Sequence, residues 1–305
     1  MKTWIVLNPK AKAGRAGKTE SALKKKFPEA DVRFARTSYP GHATAIARRA
    51  VAEKAEAIVA VGGDGTIREV VNGVLGSPIP VGIIPAGTAN DLAAYYHLPA
   101  DLDKAGDVVR GHRTRPADVI RVNGEYYVTA GGLGLPSEVA CLANRIKSRG
   151  RVGRFIGRFL SSQLYVFVAL WTVLVKPGAR HSVTVRSRGR RTVARDILSL
   201  TINNQPFLGK NFLVSPGAAN DDGQLDVCLI RKPKGRFRTL MVVLKALSGK
   251  HLDLPCVESW RTDRLTVEAE APLRFLSDGE VAQASRRFSI RIFPRALNVI
   301  VPEAA

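Results

Sequence analysis

The sequence predicts a two-domain α/β protein, with an N-terminal parallel α/β domain followed by a mostly antiparallel β-sandwich domain. Strand-like and helix-like segments alternate through the first part of the chain, which is typical of a parallel sheet covered by helices. Two of these strand-like segments run directly into glycine-rich turns. After about residue 115, short alternating stretches dominate, and these are typical of antiparallel strands.

The N-terminal elements follow from the spacing of the apolar residues. Four apolar runs predict strands: Trp4–Leu7, Val32–Thr37, Ala57–Val61 and Val81–Pro85. Two sets of apolar residues recur at helical spacing: Ala43, Ile46, Ala47, Ala50 and Val51, then Ile67, Val70, Val71 and Leu75. In a parallel sheet of this kind, ligand-binding turns lie at the carboxyl ends of the strands.

The C-terminal part reads as a sheet with two helical interruptions. The predicted strands are Asp118–Val122, Tyr126–Thr129, Ser182–Arg188, Ile197–Ile202, Leu225–Ile230, Leu265–Glu268 and Phe288–Ile292. Helices are expected near residues 138–175 and 236–248.

Charge is distributed unevenly along the 305 residues. The formal net charge is +21. Residues 1–119 carry 18 Lys and Arg against 12 Asp and Glu, whereas residues 120–305 carry 29 against 14. The basic second half favours partners such as nucleic acid, an anionic membrane surface or a polyanionic substrate, and it carries no information about the fold.

Cysteine usage and apolar runs indicate the compartment. Cys141, Cys228 and Cys256 lack the spacing of a zinc site or a disulfide framework, which indicates reduced thiols of a cytosolic protein. The apolar start of the chain is too short for a secretory signal. The longest apolar run, Phe159–Val175, is interrupted by Ser161–Gln163, so it predicts a buried helix and not a bilayer crossing.

The turn Gly62–Thr66, with the sequence Gly-Gly-Asp-Gly-Thr, is the most informative motif. A glycine turn between a buried strand and a helix lets backbone N–H groups approach an anionic ligand closely. Because Asp64 would repel a phosphate, a divalent cation or a ligand hydroxyl is expected between them. The turn therefore predicts a phosphorylated ligand, and a nucleotide is the first candidate.

A second glycine turn, Pro85–Asp91, follows the next predicted strand and leads into a helix. Thr88 can offer its hydroxyl and its backbone N–H to a phosphate. Asn90 and Asp91 can cap the helix or organise ordered water near a metal ion. Two such turns in succession are stronger evidence for a phosphate site than either turn alone.

Motifs occur in a specific order along nearly the whole chain: Asn8-Pro9, Thr37 with Gly41–Ala43, Gly62–Thr66 with Glu69–Gly73, Pro85–Asp91, Asp118, Asn220–Val227 and Ser277–Glu280. This order resembles the diacylglycerol kinase catalytic family, which includes soluble bacterial lipid kinases and the sphingosine and ceramide kinases. The resemblance implies an ATP-binding domain of residues 1–119 with about 295–305, a lipid-substrate and metal-binding domain of residues 120–294, and a nucleotide in the cleft between them.

The resemblance implies ATP and Mg²⁺ as cofactors. The implied ATP contacts are Asn8, Pro9, Thr37, Thr88 and the turn residues Gly63, Asp64, Gly65, Thr66, Ile67, Arg68 and Glu69. Arg68 departs from the bacterial relatives, in which Asn is frequent at this position. Gly209–Asn211 replaces a glycine-richer turn on the substrate side.

Catalytic and metal-binding residues are implied in the same way. Asp64 is expected to be an essential acid at the Mg²⁺-nucleotide, and Glu280 is expected to be the general base. The implied ligands of a structural Mg²⁺ are Asp222 with the backbone carbonyls of Ala219 and Gln224, joined through water by Asp91 and Asp118. From the residues alone, two simpler interpretations remain. Glu280 is as readily explained as an exposed turn residue, and the turn at Asp222 as an ordinary β-turn. A carboxylate beside the attacking hydroxyl is nevertheless what phosphoryl transfer to an alcohol needs.

A basic segment, residues 145–158, mixes Lys and Arg with apolar residues such as Phe155 and Ile156. It suits a helix that rests on anionic headgroups, where each basic residue adds about 1 kcal/mol. The alternative is a solvated helix packed through its apolar face. Arg186–Arg191 predicts a charged hairpin tip that either touches a membrane or is a plain surface loop.

The sequence therefore favours an ATP- and Mg²⁺-dependent lipid kinase acting on the hydroxyl of a diacylglycerol-like or sphingoid lipid. We expect it in the cytoplasm, peripherally associated with an anionic membrane surface, with no nucleic acid as a partner. The oligomeric state is open, and a homodimer is one option. The alternatives are a kinase of a soluble alcohol such as NAD, since NAD kinases share the first glycine turn, a basic nucleic-acid-binding protein, and a catalytically silent nucleotide sensor.

Overall fold

The computed structural model describes residues 2–9, 16–27, 32–87, 89–148, 163–175 and 181–303. The chain divides into two compact units. The first unit comprises Met1–Val119, Glu125–Val128 and Phe293–Ala305, and the second comprises Ile120–Gly124 and Thr129–Ile292. The end of the chain therefore belongs to the first unit, together with a short segment that directly follows residue 124.

The first unit is a parallel sheet with helices on both faces. Its elements are β1 Thr3–Leu7, α1 Ala16–Lys26, β2 Val32–Arg36, α2 His42–Ala52, β3 Ala57–Gly62, α3 Asp64–Val74, β4 Val81–Pro85, α4 Asp91–Tyr95 and α5 Leu102–Gly111. The strands pair in the order β2–β1–β3–β4, all parallel. The last residues of the chain continue this sheet beside β4, with Val299 opposite Val81.

Both faces of the central strands are buried, which explains their uninterrupted apolar sequences. On β3, Ile58 and Ala60 contribute to one hydrophobic cluster, while Val59 and Val61 contribute to a second. The alternation arises because successive side chains of a strand point to opposite faces. The first cluster lies under α2 and α3, and the second lies under α1 and α5.

Helices α2 and α3 approach each other closely at Gly73. A Cβ added there would lie 2.5 Å from the Cβ of Ala47 and 2.7 Å from the carbonyl oxygen of Thr44. Such distances are far inside van der Waals contact, so a side chain at position 73 would push the two helices apart. The glycine thus sets the distance between the helix that follows β2 and the helix that follows β3.

Helix α3 also holds the segment at residues 125–128. The side-chain amide of Asn72 donates to the carbonyl of Tyr126 over 3.0 Å, and the N–H of Tyr126 donates back to the Asn72 carbonyl oxygen over 3.3 Å. This two-way contact resembles a strand pairing, because one amide side chain offers both a donor and an acceptor. This contact ties residues 125–128 to the first unit.

The second unit is built mainly from antiparallel strands. The remaining elements of the chain are β5 Thr114–Val122, β6 Glu125–Tyr127, β7 Ala130–Gly134, α6 Leu135–Ser148, α7 Gln163–Val175, β8 His181–Ser187, β9 Arg190–Asn203, β10 Phe207–Leu208, β11 Phe212–Leu213, β12 Leu225–Arg231, α8 Arg236–Ala246, β13 Val257–Thr262, β14 Arg264–Leu273, β15 Leu276–Ser277, β16 Glu280–Val281 and β17 Ser285–Ile300. Of these, β6, the first part of β5 up to Val119 and the last part of β17 belong to the first unit.

Strand β9 is the centre of the second unit. It pairs with β7, β8 and β12, and the sheet continues from β8 through β14 to β17 and from β12 to β13. All of these pairings are antiparallel. The predicted fold class, a parallel α/β domain followed by an antiparallel β-sandwich domain, is therefore confirmed.

Three helices of the second unit share one hydrophobic cluster with its strands. Helix α6 contributes Val139, α7 contributes Val168, and α8 contributes Val242; β9 and β12 contribute Leu198 and Ile230. The helices thus cover one face of the sheet through their apolar sides.

A buried helix is predicted within residues 159–175, but the helix found there is buried only in part. Leu164, Val168 and Val173 of α7 are buried, but Phe167 and Trp171 are exposed. Residues 149–162 lie outside the described part of the chain, and most of the basic segment at 145–158 falls there. No helix among the described residues is long and apolar enough to cross a membrane.

The three cysteines are free thiols, in agreement with the sequence. Cys228 is buried in β12, and burial raises the pKa of its thiol to about 12. Its thiolate form, the reactive one, is therefore scarce at neutral pH.

Replacing Gly73 by Ala tests the close helix contact. Alanine normally stabilises a helix interior by about 1 kcal/mol relative to glycine. Overpacking costs about 1–3 kcal/mol, so we expect a net loss in the free energy of unfolding, measured by urea denaturation. The matched control is Gly17→Ala in α1, where a new Cβ meets nothing within 4 Å. Equal stability of the two variants would contradict the contact.

Candidate active site

The four turns that carry the predicted ligand-binding residues come together at one edge of the parallel sheet. Asn8 follows β1, Thr37 follows β2, Gly63 follows β3 and Ala86 follows β4. The turns are linked through their backbones, since the N–H of Ala86 donates to the carbonyl of Gly62 over 2.8 Å. The strand register therefore places all four turns side by side, as expected for the carboxyl ends of parallel strands.

The two glycine turns touch each other through their backbones. A Cβ added at Gly87 would lie 2.3 Å from the Cα of Gly63, and a Cβ at Gly63 would lie 3.0 Å from the Cα of Gly87. No side chain fits between the turns at these distances. The glycines are therefore required for this approach of the two loops, in addition to any approach of a ligand.

The carboxylate of Asp64 joins the same two turns by hydrogen bonds. One oxygen accepts from the N–H of Asp91 over 2.7 Å, and the other accepts from the N–H of Asn90 over 2.8 Å. These N–H groups begin helix α4, so Asp64 provides the N-terminal cap of a helix that follows a different strand. Sequence reasoning assigned Asp64 to the nucleotide and missed this positioning role.

Asn90 shapes the second turn from within. Its side-chain oxygen accepts from the N–H of Gly87 over 2.9 Å, and its side-chain nitrogen donates to the carbonyl of Gly87 over 3.0 Å. Its backbone has a positive φ of 53°, a conformation that Asn tolerates better than most residues. Asn90 therefore occupies the N-cap position, as its place in the sequence suggested, but its side chain bonds to the turn and not to the helix. Thr88 lies outside the described residues.

Glu69 caps a second helix from outside it. Its carboxylate accepts from the N–H of Gly41 over 2.9 Å and from the N–H of Ala43 over 3.0 Å, at the start of α2. The hydroxyl of Thr44 donates to the Glu69 carbonyl over 2.8 Å. The sequence placed Glu69 among the ATP contacts, and the motif gave no signal of this role.

The remaining turn residues differ in what they can offer a ligand. The amide of Asn8 donates to the hydroxyl of the buried Thr66 over 3.0 Å, which ties the first loop to α3. Ile67 is buried in the core, so only its backbone is available. Arg68 forms an ion pair with Glu125, with nitrogen and oxygen 3.3 Å apart. Exposed Pro9 and half-buried Gly65 complete the predicted set.

Asp118 stabilises the return of the chain to the first unit. Its side chain is fully buried, and one of its carboxylate oxygens accepts from the N–H of Arg295 over 2.7 Å. Arg295 has a positive φ of 50°, so the carboxylate supports an irregular position within β17. This contact gives Asp118 a structural role that does not involve a metal ion.

Glu280 stands at the end of a tight hairpin in the second unit. Strands β15 and β16 pair Ser277 with Glu280, and the two residues between them, Asp278 and Gly279, have φ angles of 44° and 80°. Two successive positive φ angles define the turn type that favours the Asp-Gly sequence. The turn presents Glu280 to solvent, as the sequence predicted.

The hairpin is anchored through Asp278. This carboxylate is buried and accepts from both the N–H and the hydroxyl of Thr129, over 3.0 Å and 2.6 Å. The N–H of Asp278 donates to the carbonyl of Ala130. A mobile turn residue would be a poor general base, so this anchor matters for the predicted role of Glu280.

Asp222 lies in an exposed turn before β12, close to Ala219 and Gln224. One carboxylate oxygen accepts from the N–H of Gln224 over 3.0 Å, which is the usual contact of an Asp-centred turn. The other lies 3.4 Å from the guanidinium of Arg261. The same guanidinium contacts Asp226 at 3.1 Å and donates to the carbonyl of Gly217.

Arg261 is therefore the cation that this structure places beside the predicted metal turn. Burial raises the pKa of Asp226, and the neighbouring Arg261 acts in the opposite direction. Among the described residues, no group of three or more His, Cys, Asp and Glu side chains is arranged to hold a metal ion. The oxygen donors of Asp222, Ala219 and Gln224 suit Mg²⁺ chemically, and Arg261 is the cation with which such an ion would compete.

Replacing Asp64 by Ala tests the clamp between the two turns. Two partly buried N–H groups lose a charged acceptor, so we expect the free energy of unfolding to fall by about 2–4 kcal/mol. Asp103→Ala in the first turn of α5 is the matched control, and it should stay within about 0.5 kcal/mol of the wild type. Urea denaturation of both variants provides the measurement. A fully stable Asp64→Ala protein would show that the clamp contributes nothing to the fold.

Replacing Arg261 by Met tests the cation at the second-unit turn. Arg261 favours the ionised form of Asp226, so its contribution exists above the pKa of that carboxyl and is lost on protonation. We therefore expect the variant to be destabilised most at neutral pH, and the deficit should shrink as the pH falls through the pKa of Asp226, which lies above the ordinary aspartate value. If the turn binds Mg²⁺ once the arginine is gone, excess Mg²⁺ will raise the melting temperature of the variant more than that of the wild type. A deficit that does not change with pH would contradict the electrostatic role.

Two family models match the chain in succession. Residues 2–122 match the diacylglycerol kinase catalytic domain, and residues 147–301 match the YegS C-terminal NAD kinase beta sandwich-like domain. The second model alone spans half of the chain.

Proteins named diacylglycerol kinases are similar to this chain over most of its length. A diacylglycerol kinase of Staphylococcus saprophyticus is 38% identical over 253 residues, covering 80% of this chain and 76% of the relative. One from Staphylococcus aureus is 33% identical over 292 residues, covering 90% and 85%. One from Bacillus subtilis is 26% identical over 271 residues, covering 88% and 84%.

Solved structures share the fold at lower identity. A diacylglycerol kinase of Bacillus anthracis superimposes with a TM-score of 0.73 at 19% identity, covering 99% of this chain and 97% of that one. An NAD kinase of Archaeoglobus fulgidus in complex with ATP superimposes with a TM-score of 0.54 at 14% identity, covering 99% and 94%. At these identities the likeness concerns the fold alone. With the family models and the relatives above 30% identity, the chain belongs to the diacylglycerol kinase family and is a lipid-kinase-type phosphotransferase.

Proposed function

We propose that this protein transfers the γ-phosphate of Mg²⁺-bound ATP to the hydroxyl of a diacylglycerol-like lipid, with a sphingoid lipid as the alternative acceptor. The observation that carries the proposal is the meeting of four strand ends at one sheet edge, with the two glycine turns in backbone contact and clamped by Asp64. Phosphoryl transfer depends on positioning of the phosphates, and a rigid, amide-lined loop pair supplies it.

The start of α3 is the proposed centre for the phosphates. Helices α2, α3 and α4 each begin at this sheet edge. Glu69 already occupies the N-terminus of α2, and Asp64 occupies that of α4. The N-cap of α3 is Gly63, which has no side chain to satisfy the first N–H groups of the helix. A phosphate would be stabilised there by those N–H groups and by the helix dipole.

Thr37, Thr88 and the Asn8-Pro9 loop are the proposed neighbours of the same phosphates. A threonine hydroxyl donates well to a phosphate oxygen, and Thr37 is half-buried at the end of β2. The contact between Asn8 and Thr66 keeps the first loop close to α3.

Glu280 is the proposed general base. A carboxylate that accepts the hydroxyl proton of the acceptor has to be exposed to the substrate and held in place. Glu280 meets the first condition by its exposure, and the Asp278 anchor supports the second.

Mg²⁺ is proposed at two places. Asp64 would approach an ion carried by the nucleotide, and Asp222 with the carbonyls of Ala219 and Gln224 would hold a structural ion. When bound, Mg²⁺ neutralises phosphate charge. Asp91 and Asp118 would act through water, in addition to their observed backbone contacts.

The acceptor and the location follow from the relatives and the charge. The relatives cited above are named diacylglycerol kinases, which supports a lipid hydroxyl. The net charge of +21 supports action at an anionic membrane surface from the cytoplasm. NAD as the acceptor has weaker support, from the shared first glycine turn and from a likeness of fold to an NAD kinase.

The test of the base is Glu280→Gln, assayed with γ-labelled ATP, Mg²⁺ and diacylglycerol in mixed micelles. We expect transfer into the organic phase to fall by about 10²–10⁴-fold, because the amide cannot accept the proton. Glu270→Gln, an exposed acid on β14 of the same unit, is the matched control and should keep full activity. An active Glu280→Gln enzyme would reject the assignment of the base.

A panel of acceptors tests the substrate class with the wild-type enzyme. Transfer to diacylglycerol or sphingosine would support the proposal, and the ratio of the two rates would identify the better acceptor. Transfer to NAD with none to lipid would instead support a kinase of a soluble alcohol. ATP binding without transfer to any acceptor would favour the nucleotide sensor.

A further inference from the structure

Helix α7 presents an apolar stripe to solvent. Phe167, Trp171, Leu174 and Val175 are all exposed, Trp171 to 60%. Their spacing of four, three and one residues places them along one side of the helix, whereas the buried Val168, Ala169, Thr172 and Val173 lie along the other side. A helix that is apolar on both sides is unusual for a protein surface exposed only to water.

Helix α8 presents a second stripe of the same kind. Phe237, Met241 and Leu244 are exposed at spacings of four and three residues, Phe237 to 82%. The opposite side of the helix carries Val242 and Val243, which are buried. Phenylalanine with this exposure is among the least favourable side chains to leave in water.

The two stripes lie on the same side of the second unit. Helices α7 and α8 pack against each other, and their buried sides belong to one hydrophobic cluster shared with β9 and β12. Their outer sides therefore both point away from the sheet. We call the two stripes together the aromatic face: Phe167, Trp171, Leu174, Val175, Phe237, Met241 and Leu244.

Basic residues border this face. From Arg231 to Lys250 the sequence has seven Lys and Arg and no Asp or Glu. Lys234, Arg236 and Arg238 are exposed, and none of them forms an ion pair with another residue in the ranges that the structure describes. Unneutralised cations next to exposed aromatic side chains complement a surface that is anionic outside and apolar within.

We propose that the aromatic face docks on an anionic phospholipid bilayer, with Phe237 and Trp171 inserted among the acyl chains and Arg236 and Arg238 at the headgroups. The inference rests on the proposed function for its purpose, because a lipid kinase has to reach its acceptor at a bilayer. A second copy of the chain is a poorer occupant, since a symmetric dimer through this face would bring the same cations together.

Vesicle sedimentation without ATP or diacylglycerol tests the docking apart from catalysis. Wild-type protein is expected to bind vesicles of equal parts phosphatidylcholine and phosphatidylglycerol, and to bind phosphatidylcholine vesicles weakly. The double variant Trp171→Ser/Phe237→Ser should bind the anionic vesicles at least about tenfold more weakly. Val193→Ser, which removes a 51% exposed apolar side chain from β9, is the matched control and should bind normally.

Charge reversal tests the basic border. Arg236→Glu/Arg238→Glu is expected to weaken binding to the anionic vesicles by about thirtyfold or more, since each basic residue contributes about fivefold. Arg110→Glu, an exposed arginine of α5 in the first unit, changes the net charge of the protein without touching the face. If both variants lose vesicle binding equally, the loss reflects the overall charge of the protein, and the placement of Arg236 and Arg238 at the headgroups is overturned.

Tryptophan fluorescence locates the contact. The protein has three tryptophans, of which Trp4 is buried, Trp260 is half-buried and Trp171 is exposed. Anionic vesicles should shift the emission to shorter wavelength, and brominated lipid should quench it. Trp171→Phe should still bind but lose both signals. Binding with neither signal in the wild type would place the contact elsewhere.

The remaining outcomes separate this inference from the proposed function. Unchanged vesicle binding by Trp171→Ser/Phe237→Ser overturns the docking whatever the kinase assay gives. A wild-type dimer that becomes monomeric in this variant would assign the face to a second copy instead. If docking is correct, the variant keeps wild-type turnover of a water-soluble short-chain diacylglycerol and loses turnover of vesicle-borne substrate. Vesicle binding without turnover of either lipid would overturn the kinase proposal alone.

Discussion

The carboxylate of Asp64, held by the N–H groups of Asn90 and Asp91, is the interaction on which the candidate site depends. It connects the turn after β3 to the turn after β4, where the backbones of Gly63 and Gly87 are already in contact. Backbone contact alone is non-directional, whereas two charge-assisted hydrogen bonds fix the relative orientation of the loops. A loop pair fixed before a ligand arrives costs no ordering entropy when phosphate binds.

The same arrangement determines which helix N-termini at this edge already have a carboxylate as a hydrogen-bond acceptor. Glu69 and Asp64 satisfy the starts of α2 and α4, whereas α3, behind Gly63, has no side-chain cap. The acidic side chains of the proposed phosphate site thus have a structural role, because they accept hydrogen bonds from the first N–H groups of two helices. In the second unit, Asp278 has a comparable supporting role, because its buried carboxylate holds the hairpin that presents Glu280.

Charge and apolar exposure are concentrated in the second half of the chain. Its excess of Lys and Arg includes the start of α8, and α7 and α8 both leave aromatic side chains in solvent. Either property alone is common on protein surfaces. Their coincidence on α8, next to the apolar stripe of α7, distinguishes this face, because basic residues without apolar neighbours would suit any polyanion. The first unit, by contrast, buries the apolar residues of its central strands almost completely.

The sequence by itself determined the strands of the parallel sheet, the two glycine turns at their ends and the Asp-Gly hairpin before Glu280, because each depends on local periodicity or on backbone conformations that few residues adopt. Only the tertiary structure decided what the acids do. Glu69 caps the start of a helix that lies more than 20 residues before it, and Arg261 faces Asp222 from a later strand. Both contacts join groups that are distant in sequence. The outward stripe of α7 was equally hidden, since one side of an apolar helix is indistinguishable from the other until its neighbours have packed against it.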